Sequence, residues 1–363
     1  MIERARRRAP VLAALLVAGC ATPAYYWQAV NGQFELMRLA RPIEDARAAA
    51  ETPPWLRQKL DTARHIRDFA SAELGLPANG TFRRYADLQR PYVVWNVFAA
   101  EELSVRLKQW CYPVAGCVSY RGYFAEQDAK DYADELRRQG YDVHVTGVPA
   151  YSTLGWFDDP LLNTFIHYPE TELARLIFHE LAHQEVYVTD DSEFNESFAV
   201  AVEQAGIERW LARHGNASQR SSYAAMQRLR SDFAALVLKY RDKLDAAYSG
   251  EVSADDKRRR KAAILAELQE EYRRIKTAQW EGFAGYDRWF GQSPNNATLA
   301  SVGIYTRLVP AFEALLARHN NDLPRFYEAV RALAQLSFKE RQAQLESMTG
   351  DIPSAVPTTA ASR

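Results

Sequence analysis

The pentapeptide His179-Glu180-Leu181-Ala182-His183 constrains this chain more than any other stretch. It is written into the apolar run Leu173–Val186, whose pattern predicts a helix. At about 3.6 residues per turn, positions four apart share a face, so both imidazoles point the same way, one turn apart. Two neutral imidazoles so placed can hold Zn²⁺, and Glu180 stands where a carboxylate can take a proton from a water activated by that ion. The competing reading is a chance pentapeptide on a core helix with two satisfied histidines, so the surroundings have to decide.

Two histidines leave a catalytic zinc one protein ligand short. After the helix-start cluster Thr189-Asp190-Asp191-Ser192 comes a segment from Phe194 to Glu203 in which Asn195 precedes Glu196 and Val202 precedes Glu203. Glu196 and Glu203 are seven apart, hence on one helical face, among small apolar neighbours. Two carboxylates on an apolar stripe are costly unless paired or bound to a metal. Position alone leaves both open, with twelve residues between His183 and Glu196 and nineteen between His183 and Glu203.

The Asn195-Glu196-Ser197-Phe198-Ala199…Val202-Glu203 segment resembles the Asn-Glu-Gly-Phe-Ala…Val-Glu segment that follows H-E-x-x-H in gluzincin aminopeptidases. The resemblance implies one Zn²⁺ held by His179, His183 and Glu196, with Glu180 as general base and Glu203 behind a histidine N–H. The spacing from His183 to Glu196 is shorter than in those enzymes or in thermolysin. Together with Tyr151–Gly155, the Asn295-Asn296-Ala297…Tyr305…Val309-Pro310 segment and the leader described below, nearly the whole chain after residue 20 resembles a family of bacterial predicted zinc aminopeptidases. That likeness implies a peptide substrate and a second electrophile from the helical half, for which Tyr305 is the candidate. Ser152, Thr153, Leu154 and Gly155 are expected to form an edge strand that pairs with an extended substrate.

An exopeptidase needs an anion for the substrate's α-amine. Gluzincin aminopeptidases use a Gly-x-Met-Glu-Asn segment upstream of the metal helix, and this chain has none. Asp158, Asp159 and Glu203 are the candidates in its place, and endopeptidase activity stays open. The alternative class is a non-catalytic zinc-binding scaffold. A closed structural site requires a fourth ligand, and His144 and His167 precede the motif at no typical spacing.

The start of the chain carries Arg4, Arg6, Arg7 and Arg8, then the apolar stretch Val11–Val17, then Leu16-Val17-Ala18-Gly19-Cys20. This resembles a bacterial lipoprotein signal, which implies lipidation at Cys20 as the mature N-terminus and a membrane contact through that anchor. Ala21 after the cysteine points to the periplasmic face of the outer membrane of a Gram-negative cell. Removing residues 1–20 takes away four arginines and one glutamate, so the net charge moves from −1 to −4. No basic excess points to nucleic acid. Cys111 and Cys117 remain as an even pair across a loop with Pro113 and Gly116, and an oxidising compartment predicts a disulfide between them.

The remaining pattern predicts an α+β fold: a strand-containing N-terminal half (21–170), the metal-site helices (171–206), an all-helical half (207–350) and a disordered tail (351–363). Expected elements are a linker and helix within 21–50, a helix after Pro54, and strands at Tyr92–Phe98, Val118–Phe124 and Tyr141–Thr146. A helix over Ala125–Arg138 makes the last two strands a β-α-β unit. Further strands are expected within Ala150–Phe157 and Asn163–Tyr168. Residues 220–248 and 256–280 predict a helical hairpin, followed by helices near 297–318 and 323–346. The run Lys257–Lys261 reads as the solvated start of a helix.

Overall fold

The computed structural model describes residues 21–112 and 116–350. The leader with Cys20, the tip of the cysteine loop and the tail all lie outside the described residues. Helix α1 (Ala21–Leu39) begins at once, so the residues expected as a linker are its first turns. Strand β1 (Arg41–Pro42) and α2 (Ile43–Ala48) lead to α3 (Pro54–Leu74). Pro54 sits in the first turn of α3, where a missing N–H is harmless, and Gly75 ends the helix at φ 69°. The expected stripe of Leu56, Leu60, Ala63, Ile66, Phe69 and Ala70 is buried. Arg67 on the same helix is wholly buried and donates to Thr81 O (2.8 Å), Pro77 O (2.6 Å) and Ser71 Oγ (2.6 Å). The loop after α3 is moulded on this guanidinium. From that loop Asn79 donates to the Gln184 side chain (2.6 Å), and Gln184 donates to Thr81 Oγ1 (3.1 Å). The residue just past the histidine pair is thereby fixed.

Strand β2 (Arg84–Ala86) pairs antiparallel with β1 and parallel with β8 (Leu161–Leu162). In the second sheet β3 (Val94–Glu101) is central, with β6 (Arg121–Tyr123) and β7 (Tyr141–Val148) on either side, both antiparallel to it. Helix α4 (Glu126–Arg138) joins β6 to β7. The expected β-α-β unit is present, with β3 inserted between its two strands. Side chains alternate along β3: Trp95, Val97 and Ala99 join the α4 core, and Phe98 and Ala100 face the opposite way. Strands β4 (Trp110–Tyr112) and β5 (Gly116–Val118) pair with Cys111 opposite Cys117, and the two form the expected disulfide.

Two expected strands are loops. Leu154 and Gly155 have φ 56° and 80°, a left-handed pair no strand accommodates. The Asp159 carboxylate accepts from both Thr153 N (2.8 Å) and Thr153 Oγ1 (2.8 Å), closing the segment into a turn. Ser152–Gly155 is therefore no edge strand. Residues 163–168 likewise close on themselves, through Phe165 N and Ile166 N to Leu162 O and Tyr168 N to Phe165 O.

The rest is helical: α5 (Glu170–Glu185), α6 (Ser192–His214), α7 (Ala217–Ser249), α8 (Ala254–Ala278) and the short α9 (Asp287–Gly291). Then come α10 (Asn296–Thr306), α11 (Val309–Arg318), α12 (Leu323–Ala334) and α13 (Phe338–Gly350), so each of the last two expected helices is two. Pro310 at the start of α11 marks one break. By length and composition Asn296–Arg318 could cross a membrane, but 61% of its apolar window is buried inside the protein. Helices α7 and α8 form the expected hairpin over Leu236, Tyr240, Leu244, Leu268 and Tyr272. The cationic run at the start of α8 is not simply solvated: Arg258 grips Glu102 (2.9 Å) and Lys261 pairs with Asp142 (2.7 Å), docking the hairpin on β3 and β7. Asn295 caps α10 through Thr298 N and donates to Val143 O, while Asn296 donates to Glu101 O and Glu102 O. These two asparagines set α10 across the exit of the sheet.

Candidate metal centre

Helix α5 has an apolar wall of Leu173, Ala174, Ile177, Phe178, Leu181 and Ala182, buried against α3 and α6. It stops where Val186 turns extended, and six residues later α6 begins. Asn195 closes this connection: its side chain accepts from Val188 N (2.7 Å) and donates to Val188 O (2.8 Å). Asp191 caps α6 by accepting from Phe194 N (3.1 Å), and the buried Arg341 of α13 holds its other oxygen (2.8 Å). The twelve-residue spacing is thus two residues of α5, a six-residue loop and the first turn of α6. A connection so short makes the helices an antiparallel pair, so Glu196 on the first turn of α6 faces back onto the last turns of α5.

His179 Nε2 lies 3.2 Å from His183 Nε2 and 3.2 Å from Glu196 Oε2, and His183 Nε2 lies 3.5 Å from that oxygen. A proton on one ring can satisfy only one edge of this triangle. A cation satisfies all three. Donors held about 2.0–2.1 Å from a tetrahedral ion stand about 3.3–3.4 Å apart, which is the size of the triangle. His183 Nδ1 is buried and takes no hydrogen bond among the described residues, so the ring has little to offset its burial other than a ligand at Nε2. The residues fit a zinc ion, and among the described residues they are the group that could hold one.

Behind the triangle, Glu203 accepts from His179 Nδ1 (3.0 Å) and from Arg175 Nη1 (3.0 Å). Arg175 also donates to Glu172 (3.0 Å), which pairs with Arg230 of α7 (2.7 Å). The proton on Nδ1 directs the lone pair of His179 Nε2 to the centre. Burial pushes the His179 pKa down, but its bonds to Glu196 and Glu203 outweigh that and bring it up to about 10, so a cation taken up at Nε2 displaces a proton. Burial raises Glu196, and the two histidines overcome it to hold the carboxyl near about 2. Burial pushes the Glu180 carboxyl up, opposed by the neighbouring histidines. Glu180 takes no protein hydrogen bond among the described residues, in contrast to Glu196 and Glu203.

Tyr305 on α10 is sunk against Phe98 and Ala100 and lies close enough to Glu196 and Glu180 to feel both charges. Burial raises its pKa well above the ordinary phenol value, so it is a donor. Tyr120, between β5 and β6, shares that cluster and feels the same two carboxylates. No spacing rule links Tyr120 to the motif, and only the pairing of β6 with β3 brings it there. Arg175 was legible in principle, since Arg175, His179 and His183 recur every four residues opposite Glu203 and Glu196. His144 is stacked on Phe98 and His167 bonds Asn163 O, so neither joins the triangle. Asp159 is occupied with Thr153, and Glu203 with His179 and Arg175.

No curated protein and no solved structure matches the chain. One protein family, described as "Putative aminopeptidase", matches residues 24–345, a span that takes in all three sheets, the α5–α6 pair and the helical half. The chain belongs to that aminopeptidase family, and peptides are the substrate class the family implies.

Proposed function

We propose that the protein is a zinc-dependent metallopeptidase, an aminopeptidase in the first instance, anchored in the cell envelope through lipid on Cys20. The observation that carries the reading is the triangle of His179, His183 and Glu196, whose edges of 3.2, 3.2 and 3.5 Å suit one tetrahedral ion. When bound, zinc supplies Lewis acidity toward a peptide carbonyl and a water. Glu180, raised by burial and without a side-chain hydrogen bond among the described residues, takes the water's proton and passes it to the departing amine. Tyr305 and Tyr120 stay protonated and donate to the oxygen on which negative charge develops. Glu203 and Arg175 keep the His179 ring oriented throughout. The family supports peptide hydrolysis, and the cysteine-terminated leader supports export.

The test is zinc quantification alongside a peptide panel. Glu180→Gln should retain metal while hydrolysis falls by two to four powers of ten. Unchanged hydrolysis in that variant removes the mechanism. Glu196→Ala should lose zinc, and if Glu203→Ala alone loses it the ligand assignment is wrong. A second reading, endopeptidase action, gains from one observation: Asp159 and Glu203 already have partners, leaving the exposed Asp158 as the remaining candidate for an α-amine. Peptides with blocked and free N-termini separate the two.

A further inference from the structure

Helix α1 turns several of its largest apolar side chains outward. Trp27 is 68% exposed, Val30 46% and Phe34 71%, and their spacing of three and four places them in one outward stripe beside Tyr26. Three of its polar residues, Gln28, Gln33 and Glu35, face the protein instead. Gln28 bonds Gly122 O and Phe124 N, Gln33 accepts from the Tyr151 hydroxyl, and Glu35 pairs with Arg90 (3.2 Å). Leu36 is buried, and Gly32 lies so close to the Phe124 ring that a Cβ there would fall 2.1 Å from it. With this inner face locked, the helix cannot roll to bury its aromatic stripe.

We infer that the outer stripe of α1 is a membrane-docking face, seated in the headgroup layer of a phospholipid bilayer. The inference rests on the lipid-anchor reading of Cys20. Three observations choose lipid as the occupant. The twenty residues outside the described structure end directly at the first residue of α1, so acyl chains on Cys20 leave no slack between bilayer and helix. Beside Val30 the stripe carries Trp, Tyr and Phe, the aromatic types suited to the boundary between hydrocarbon and headgroups. It carries no acidic residue, and Arg38, one turn beyond Phe34, is exposed on the same side to meet phosphate. From Trp27 to Phe34 the stripe is about 10 Å long, suited to shallow insertion. The catalytic domain is then held at a set angle to the membrane instead of swinging on a tether.

The test uses the full chain isolated from cell membranes and reconstituted in phosphatidylethanolamine–phosphatidylglycerol vesicles whose acyl chains carry bromine. Tryptophan fluorescence should be quenched, and Trp27→Phe should remove at least half of that quenching while its unfolding midpoint stays unchanged. Val30→Ser/Phe34→Ser should reduce quenching of Trp27 at least twofold. Wild-type quenching equal to that of Trp27→Phe overturns the inference. Disulfide-linked dimers of a Val30→Cys variant, in place of quenching, assign the stripe to a second copy and overturn it too. Mass measurement of the N-terminus judges the anchor separately: an unmodified Cys20 sinks that reading, and the quenching data still decide whether the stripe meets lipid.

Discussion

Arg341→Met is the perturbation that most directly couples stability to the candidate centre. Arg341 and Asp191 are 4% and 3% exposed, with Nε and Nη2 at 2.9 and 2.8 Å from one carboxylate oxygen. Asp191 also caps the helix that carries Glu196. Methionine keeps the apolar stem but leaves the carboxylate buried with Phe194 N as its remaining hydrogen bond. Removing one partner of a buried pair costs about 3–5 kcal/mol. Asp191→Asn keeps an oxygen for the cap and drops the charge, so the double variant Asp191→Asn/Arg341→Met should recover most of the loss. Urea denaturation of the four proteins gives the coupling energy, with at least 2 kcal/mol expected. The exposed pair Arg213–Glu73, with side chains 59% and 41% accessible, is the control and should give under about 1 kcal/mol. An Arg341→Met cost below about 1 kcal/mol, or strict additivity with Asp191→Asn, refutes the reasoning.

Asn195→Ala strips its two hydrogen bonds from Val188, leaving a buried N–H unpaired and the C=O with Asp191 N alone (3.4 Å), for a loss of about 1–3 kcal/mol in denaturant melts and a lower zinc content. Gly206→Ala places a Cβ 2.7 Å from Phe178, the residue before His179, and 2.9 Å from Leu74. The overpacking should cost about 1–3 kcal/mol by thermal or chemical unfolding. Asp159 is raised by burial to about 7, above its unfolded value near 4. A raised carboxyl favours the folded state in full below pH ~4 and loses that contribution as pH rises through 7. Unfolding measured from pH 4 to 8 should fall by on the order of 4 kcal/mol more in the wild type than in Asp159→Asn.

Much of this arrangement could be read from residues. The four-residue repeat placed both histidines on one face, and the burial cost of two carboxylates singled out Glu196 and Glu203. Hydrophobic periodicity located α3, α4 and the α7–α8 hairpin. Periodicity failed where a side chain overrode it: Asp159 folds the Thr153 segment into a turn, although its Tyr, Thr and Leu content reads as a strand. The roles of Lys261 and Arg258 were hidden because their partners, Asp142 and Glu102, are more than a hundred residues away. Asn195 and Asn296 carried a family likeness, but only three-dimensional packing exposes their physical task of clamping a loop and a helix end. Tyr120 is the extreme case, since nothing local connects it to a helix sixty residues on.

The position of Arg341 in the chain has a consequence for when the centre can exist. Asp191 waits for a guanidinium supplied from α13, and Tyr305 also arrives late, so the ligand helix stays unbraced until the 150 residues that separate Asp191 from Arg341 have emerged. On the proposed export route, a chain threaded through a membrane as an extended polymer therefore crosses without a finished binding site. The proposed ion is then acquired on the far side, and a peptidase assembled in that order is silent during its own synthesis.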